Sequence, residues 1–210
     1  MIALIDYKAG NLTSVKKALA AIGADVCVPD APGGLAAAAG IIVPGVGHFG
    51  ATRALDQPWI DAILTRVRQG RPLFGICLGM QWLFEGSEEA PELAGLGLLP
   101  GRCYRLGSNS NRRSTISNQQ LKVPHVGWNS LTIRREGGLL DGVPGGSQVY
   151  FTHSYVAPET VDTSASTDHG DTFAAVVQRG HIGGVQFHPE KSGEVGLRIL
   201  RNFVDLTRAL

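Results

Sequence analysis

Residues 72–89 read PLFGICLGMQWLFEGSEE, an apolar run that stops at a cysteine held between two glycines and gives way to a helix-like pattern. The run reads as a buried strand, and the residues after it, LGMQWLFEGS, as a helix. A strand that feeds a helix through G-x-C-x-G has the local context of a nucleophile elbow, where the reactive side chain stands on a strained turn and its neighbours must be small. The helix N-terminus that follows favours a thiolate and offers free N–H groups to a developing oxyanion. A buried structural thiol is the competing reading of Cys77, because free cysteine is among the most buried residue types. The string alone decides neither.

Working outward, IALI (2–5) is a strand, and NLTSVKKALAAIG places Leu12, Val15, Leu19 and Ile22 at helical spacing. ADVCV (24–28) and GIIVPG (40–45) read as two further buried strands, and residues 48–70 as helical on both sides of Pro58. Buried strands alternating with helices predict a parallel sheet covered on both faces, with ligands at the carboxyl ends of its strands. Beyond residue 100 the pattern changes to short strands between Gly, Pro and Asn turns: GRCYRL, HVGWNSLTI, SQVYFTHSYVA, FAAVVQRG and HIGGVQFHPE. These predict antiparallel hairpins. A closing helix carries Val195, Ile199, Phe203 and Leu206 on one stripe. Residues 107–120, GSNSNRRSTISNQQ, predict a polar surface loop. No repeat or linker divides the chain, so one domain over residues 1–210 is expected.

Composition narrows the function classes. Of 210 residues 43% are hydrophobic, and 19 basic against 18 acidic residues leave a net charge of +1, too weak a field to argue for nucleic acid or a membrane surface. No leader-like N-terminus and no window of roughly 18 uncharged apolar residues is present, so a cytoplasmic protein is expected. Cys27, Cys77 and Cys103 lack the spacing of a disulfide framework or a zinc site, and Cys27 and Cys103 read as structural. No metal is expected, since the histidines and cysteines form no closely spaced ligand pairs.

A thiol nucleophile needs a base, and the base an orienting carboxylate. Of six histidines, His188 in GGVQFHPEKS stands at the end of an apolar strand with an acid two residues later. Pro189 biases His188 toward an extended backbone, in which residues two apart project to one side, bringing His188 and Glu190 together. Cys77, His188 and Glu190 are thus a candidate triad, against an ordinary turn with a solvated acid. His48 and His153, at apparent strand ends, are candidates to line the same cleft, structural roles being the alternative. His125, His169 and His181 have no local carboxylate to nominate them. PGVG (44–47) ends a strand with glycines, where backbone amides can approach a ligand or change orientation. No nucleotide-binding glycine motif occurs.

With GICLGMQ and FHPE assembled, the chain resembles the class I (triad) glutamine amidotransferases. The further motifs IDYKAGNLTSV, VPGVGHFG, GICLGMQWLFEGSEE, KVPHVGWN, YFTHSY and QFHPEKS resemble, in order, the glutaminase subunits of imidazole glycerol phosphate synthase, from Ile5 to Ser192. The resemblance implies a flavodoxin-like α/β fold with a mostly parallel central sheet, helices on both faces and added antiparallel hairpins. It implies Cys77 as nucleophile, His188 as general base and acid, and Glu190 as the group orienting it. It further implies Gln81, Gly47, Ser154 and Tyr155 at the substrate. The oxyanion would be held by the N–H of Leu78 and by an amide of the strand through Val46 and Gly47, which in that family is thought to reorient before it can donate. No cofactor is implied.

The implied partner is a (β/α)8-barrel cyclase that takes the ammonia internally and makes imidazole glycerol phosphate and an aminoimidazole carboxamide ribonucleotide in histidine biosynthesis. Since the chain stops just after its last helix, that partner is expected on a separate chain. Asn11, Trp128, Tyr150 and Lys191 match interface positions around the ammonia passage. Their plainer readings are a helix cap, two core aromatics and a solvated lysine. Lys8, where glycine is common in the family, Val126, where methionine is usual, and a longer 107–120 loop depart from the pattern without touching the triad. Other glutaminase subunits, a docking subunit without activity and a free-standing thiol hydrolase are the competing readings.

Overall fold

A computed structural model of the chain describes residues 1–108 and 122–208. In chain order its elements begin β1 (Ile2–Leu4), α1 (Leu12–Ala21), β2 (Val26–Cys27), β3 (Gly40–Gly45), α2 (Gln57–Arg68), β4 (Leu73–Cys77) and α3 (Leu78–Trp82). They continue with β5 (Gly86–Ser87), β6 (Arg102–Arg105), β7 (His125–Ser130), β8 (Thr132–Ile133), β9 (Gln148–His153) and β10 (Tyr155–Val156). The last are β11 (Thr163–Asp168), β12 (Thr172–Arg179), β13 (Ile182–Val185) and α4 (Gly193–Arg208).

Among the described residues, the main sheet runs β2-β1-β3-β4-β13-β12-β11-β8. Strands β2 to β13 in that order pair parallel, while β12, β11 and β8 extend the sheet antiparallel. Two smaller sheets, β10-β6-β5 and β7-β9, flank it. Successive residues of a strand point to opposite faces, and the core divides accordingly. Ile2, Leu4, Ile42, Phe74 and Ile76 pack with Val15 and Leu19 of α1 and Ile199, Leu200 and Phe203 of α4. Ala3, Ile5, Ile41, Val43 and Leu73 pack on the other face with Ile63 and Val67 of α2. Helices therefore cover both faces, as the strand–helix alternation predicts.

The structure corrects the sequence reading in four places and adds a strand, β11, that the reading did not pick out. Strand β13, expected in a hairpin, pairs antiparallel with β12 but also parallel with β4, completing the parallel core. Strand β2 is a half-buried edge strand of two residues rather than a buried one. The helix after Cys77 ends at Trp82, because the chain turns into the short strand β5. Pro58 sits in the first turn of α2 behind the N-cap Asp56, with a separate 3-10 turn over Phe49–Ala54 before it. Strand β11, TSASTD, is buried although its sequence is polar. Of the expected 107–120 loop, residues 109–120 lie outside the described residues.

No described helix is long and apolar enough to cross a membrane.

Candidate active site

Cys77 is the last residue of β4 and adopts φ 52°, ψ −107°, a left-handed conformation that non-glycine residues rarely hold without a functional reason. The flanking glycines permit the turn by close packing. A Cβ on Gly75 would lie 2.5 Å from the Gly79 carbonyl oxygen and the Met80 nitrogen, and one on Gly79 would overlap the Val43 carbonyl. The elbow is thus pressed onto β3, whose terminal Gly45 is the register partner of Cys77.

His188 arrives from the other neighbour of β4. Val185 pairs with Ile76 at the end of β13, and the chain runs on to His188 at the carboxyl edge of the sheet. Its backbone is held on both sides, the N–H donating to the Tyr150 carbonyl at 2.9 Å and the carbonyl accepting from Ser192 Oγ at 2.6 Å. Nδ1 lies 2.8 Å from Glu190 Oε1, with both side chains buried. Burial alone would lower the His188 pKa, but the sulfur of Cys77 and the carboxylate of Glu190 outweigh it and raise the value to about 9. Nε2, the ring nitrogen not fixed by Glu190, is buried and is the one left to face the Cys77 sulfur. The three residues of the candidate triad are therefore brought to one place.

Gln186, not singled out in the sequence, is fully buried beside them. Its Nε2 donates to Cys77 Sγ at 3.5 Å, and its Oε1 accepts from Gln81 Nε2 at 3.0 Å. Gln81 Nε2 also donates to the Tyr155 carbonyl at 2.8 Å. The available signal was period two: a glutamine in an apolar run, two residues before His188.

A cleft of about 340 Å³ opens over Cys77, lined by Val46, Gly47, Leu78, Gln81, Ser154 and Tyr155 from the expected set. His153 lines it too, whereas His48 caps the turn at Phe49 by accepting the Gly50 N–H at 2.9 Å. Glu89, Pro124 and Thr152 complete the lining without having been foreseen. Glu89 is held by the Phe49 N–H at 2.6 Å, a contact no local pattern announces.

The strand beyond β3 is partly committed elsewhere. The Val46 N–H donates to the Ala9 carbonyl at 3.1 Å, and Gly47 follows with φ 95°. Lys8, at φ 63°, turns the chain so that Ala9 reaches this amide, which gives a physical reason why glycine suits that position.

Behind the cleft, His153 Nε2 lies 3.1 Å from His125 Nδ1, and His125 stacks on His169 with centroids 3.9 Å apart. Burial and the neighbouring rings push the pKa of His153 down, and that of His125 to about 3, so both stay neutral. On the outer surface Trp128, 57% exposed, meets Tyr150 edge-on at 6.0 Å, and Lys191 Nζ lies 5.6 Å from the Tyr150 ring centre. Trp128 is thus no core residue, and Tyr150 is only partly buried. Asn11 caps α1 by accepting the Ser14 N–H at 3.2 Å.

The family model of class-I glutamine amidotransferases matches residues 3–206. Imidazole glycerol phosphate synthase subunit HisH of Moorella thermoacetica is 47% identical, covering 99% of this chain and 95% of its own. The subunit of the same name from Syntrophotalea carbinolica is 44% identical, with 98% and 100% covered. Among solved structures, a glutamine amidotransferase crystal structure superposes with a TM-score of 0.73 at 21% identity, covering 99% of this chain and 100% of that one, a likeness of fold. Elbow, buried His–Glu pair and these matches agree: the chain belongs to the class-I glutamine amidotransferases and, within them, to the HisH subunits of imidazole glycerol phosphate synthase.

Proposed function

We propose that the chain is the glutaminase subunit of imidazole glycerol phosphate synthase, hydrolysing glutamine to glutamate and ammonia for a separate cyclase subunit in histidine biosynthesis. The observation that carries the reading is Cys77 on a strained elbow, at one sheet edge with a buried His188 bonded to Glu190. The family match over residues 3–206 supports reading residues 1–210 as one amidotransferase domain. Three free cysteines suit a cytoplasmic setting.

Glutamine enters the cleft with its carboxamide over Cys77, beside Gln81, Gly47, Ser154 and Tyr155. The carboxylate of Glu89 suits its α-ammonium group. Cys77 attacks the carboxamide carbon as a thiolate paired with the His188 imidazolium, which Glu190 holds and balances. His188 returns the proton to the departing nitrogen, ammonia leaves, and a glutamyl thioester remains. Water, deprotonated by His188, attacks the thioester carbon; the C–S bond breaks, Cys77 leaves as the thiolate beside the protonated His188, and glutamate is released.

The oxyanion of both tetrahedral intermediates is held by the N–H of Leu78 and by an amide of the Val46–Gly47 segment. With the Val46 N–H bonded to Ala9, that second donor is absent until the Gly45–Val46 peptide turns over. One such donor is worth about 2.7–4 kcal/mol of barrier, enough to keep the subunit nearly idle until its partner docks. Trp128, Tyr150, Lys191 and Asn11 form the proposed docking surface, the first three sharing one patch.

The deciding experiment is Cys77→Ala in the complex. Glutamine-dependent turnover should fall by at least roughly a thousandfold, while cyclase turnover with added ammonium salt persists. Unchanged glutamine-dependent turnover would remove the catalytic assignment and leave a docking subunit.

A further inference from the structure

The segment that holds the Val46 amide carries a second polar group beside the same peptide. Tyr7 is buried, 6% exposed, and its hydroxyl has no hydrogen-bond partner among the described residues. Its place is defined by the glycine opposite. A Cβ on Gly45 would overlap Tyr7 Oη, and would come within 2.8 Å of Leu78 Cβ and 3.2 Å of the Gly79 nitrogen. The hydroxyl thus fills the side-chain space of Gly45, between the end of β3 and the start of α3. Gly45 is in turn the register partner of Cys77. Burial and the nearby Cys77 raise the Tyr7 pKa, so the hydroxyl keeps its proton and remains a donor.

A buried hydroxyl without a partner is unfavourable, and a buried carbonyl without one equally so. In the arrangement described, the Val46 N–H satisfies the Ala9 carbonyl and Tyr7 Oη is left over. When the Gly45–Val46 peptide turns its N–H toward Cys77, the Gly45 carbonyl swings to the side the N–H has left, where the Ala9 carbonyl can give it no hydrogen. The turned carbonyl then needs another donor, and the Tyr7 hydroxyl, set at the side-chain position of the same Gly45, is an unpartnered one.

We propose that Tyr7 is a positioning residue for the oxyanion strand, its hydroxyl unpartnered in the resting arrangement and donating to the Gly45 carbonyl once the Gly45–Val46 peptide has turned over. The inference rests on the amidotransferase reading above and adds to it the group that stabilises the active orientation. Tyr7 does not touch the substrate in this account; it acts through the peptide. The hydroxyl exchanges an unfavourable state for a bonded one, so part of the loss of the Val46–Ala9 bond is offset.

The test is Tyr7→Phe in the complex with the cyclase and its nucleotide ligand, read against wild type. Glutaminase kcat should fall about tenfold, the scale of one neutral hydrogen bond, with KM for glutamine within about twofold. The rate of Cys77 alkylation by iodoacetamide and its pH profile should not move, since alkylation needs no oxyanion donor. The melting temperature should be equal or higher, because only an unpartnered hydroxyl is removed. An unchanged kcat overturns the proposal while the amidotransferase reading stands on the wild-type rate. A slowed alkylation that parallels kcat also overturns it, assigning Tyr7 to the thiol. A wild-type complex that releases no glutamate overturns both readings.

Discussion

The amide of Val46 and the carbonyl of Ala9 are bonded at 3.1 Å, so an amide proposed to complete the oxyanion hole is spent on structure in the arrangement described. Freeing it requires the peptide after Gly45 to rotate next to Tyr7 and Leu78, which already fill the side-chain space of Gly45. Gly45→Ala adds a methyl there. Stimulated glutaminase activity is expected to fall by at least about tenfold and the melting temperature to drop, because overpacking a close-packed site costs about 1–3 kcal/mol. Steady-state kinetics of the complex and thermal unfolding check both. Wild-type stimulation in the variant would mean that the strand does not move through this space.

Gln186 links the proposed nucleophile to the proposed substrate residue Gln81 by bonding Cys77 Sγ at 3.5 Å and Gln81 Nε2 at 3.0 Å. Gln186→Leu keeps the volume and removes both bonds. A loss of about tenfold in kcat/KM is expected, with stability lowered by about 1 kcal/mol, the net worth of a typical hydrogen bond. Denaturant unfolding separates the two effects. Activity retained in full would reduce Gln186 to core packing.

The raised pKa of His188 carries a pH signature. Its charged form is favoured in the folded state by Cys77 and Glu190, so the stabilisation is complete below pH 6.5 and disappears as pH rises through about 9. Glu190→Gln removes one of the two partners and should return the His188 pKa toward its ordinary value. Between pH 6.5 and 9 the wild type should therefore lose melting temperature more steeply than the variant. Parallel curves would show that Glu190 does not hold the imidazolium.

Trp128 is 57% exposed and anchors a patch with Tyr150 and Lys191. Buried aromatic anchors at interfaces contribute at least about 2 kcal/mol, so Trp128→Ala should weaken cyclase binding by about thirtyfold. The melting temperature of the free chain should hardly change. Binding titrations with the purified cyclase decide it, and undiminished affinity would place the partner on another face.

The parallel half of the fold was legible because its strands are unbroken apolar runs, β1, β3 and β4, each followed by a helical spacing. Strand β11 was not, since Thr163–Asp168 offers serines and threonines at positions that the sheet buries and pairs. The parallel pairing of β13 with β4 was also hidden, as an apolar run does not say which neighbour it will take. In the site, Cys77 and His188–Glu190 were readable from local turn chemistry and two-residue periodicity. Glu89 and Tyr7 were not, because their neighbours at the site, Phe49 and Gly45, are about forty positions away in the chain. Trp128 was given two readings, an interface position from the resemblance and a core aromatic from its residue type, and the assembled surface shows it exposed.

The most direct measurement is the initial rate of glutamate formation from glutamine by the chain alone, with the cyclase, and with the cyclase and its nucleotide ligand. Near silence alone and a rise of roughly 10²–10³ in the ligated complex are expected, the value of one completed oxyanion donor. Equal rates in all three states would contradict this, showing an oxyanion hole that needs no rearrangement of Val46.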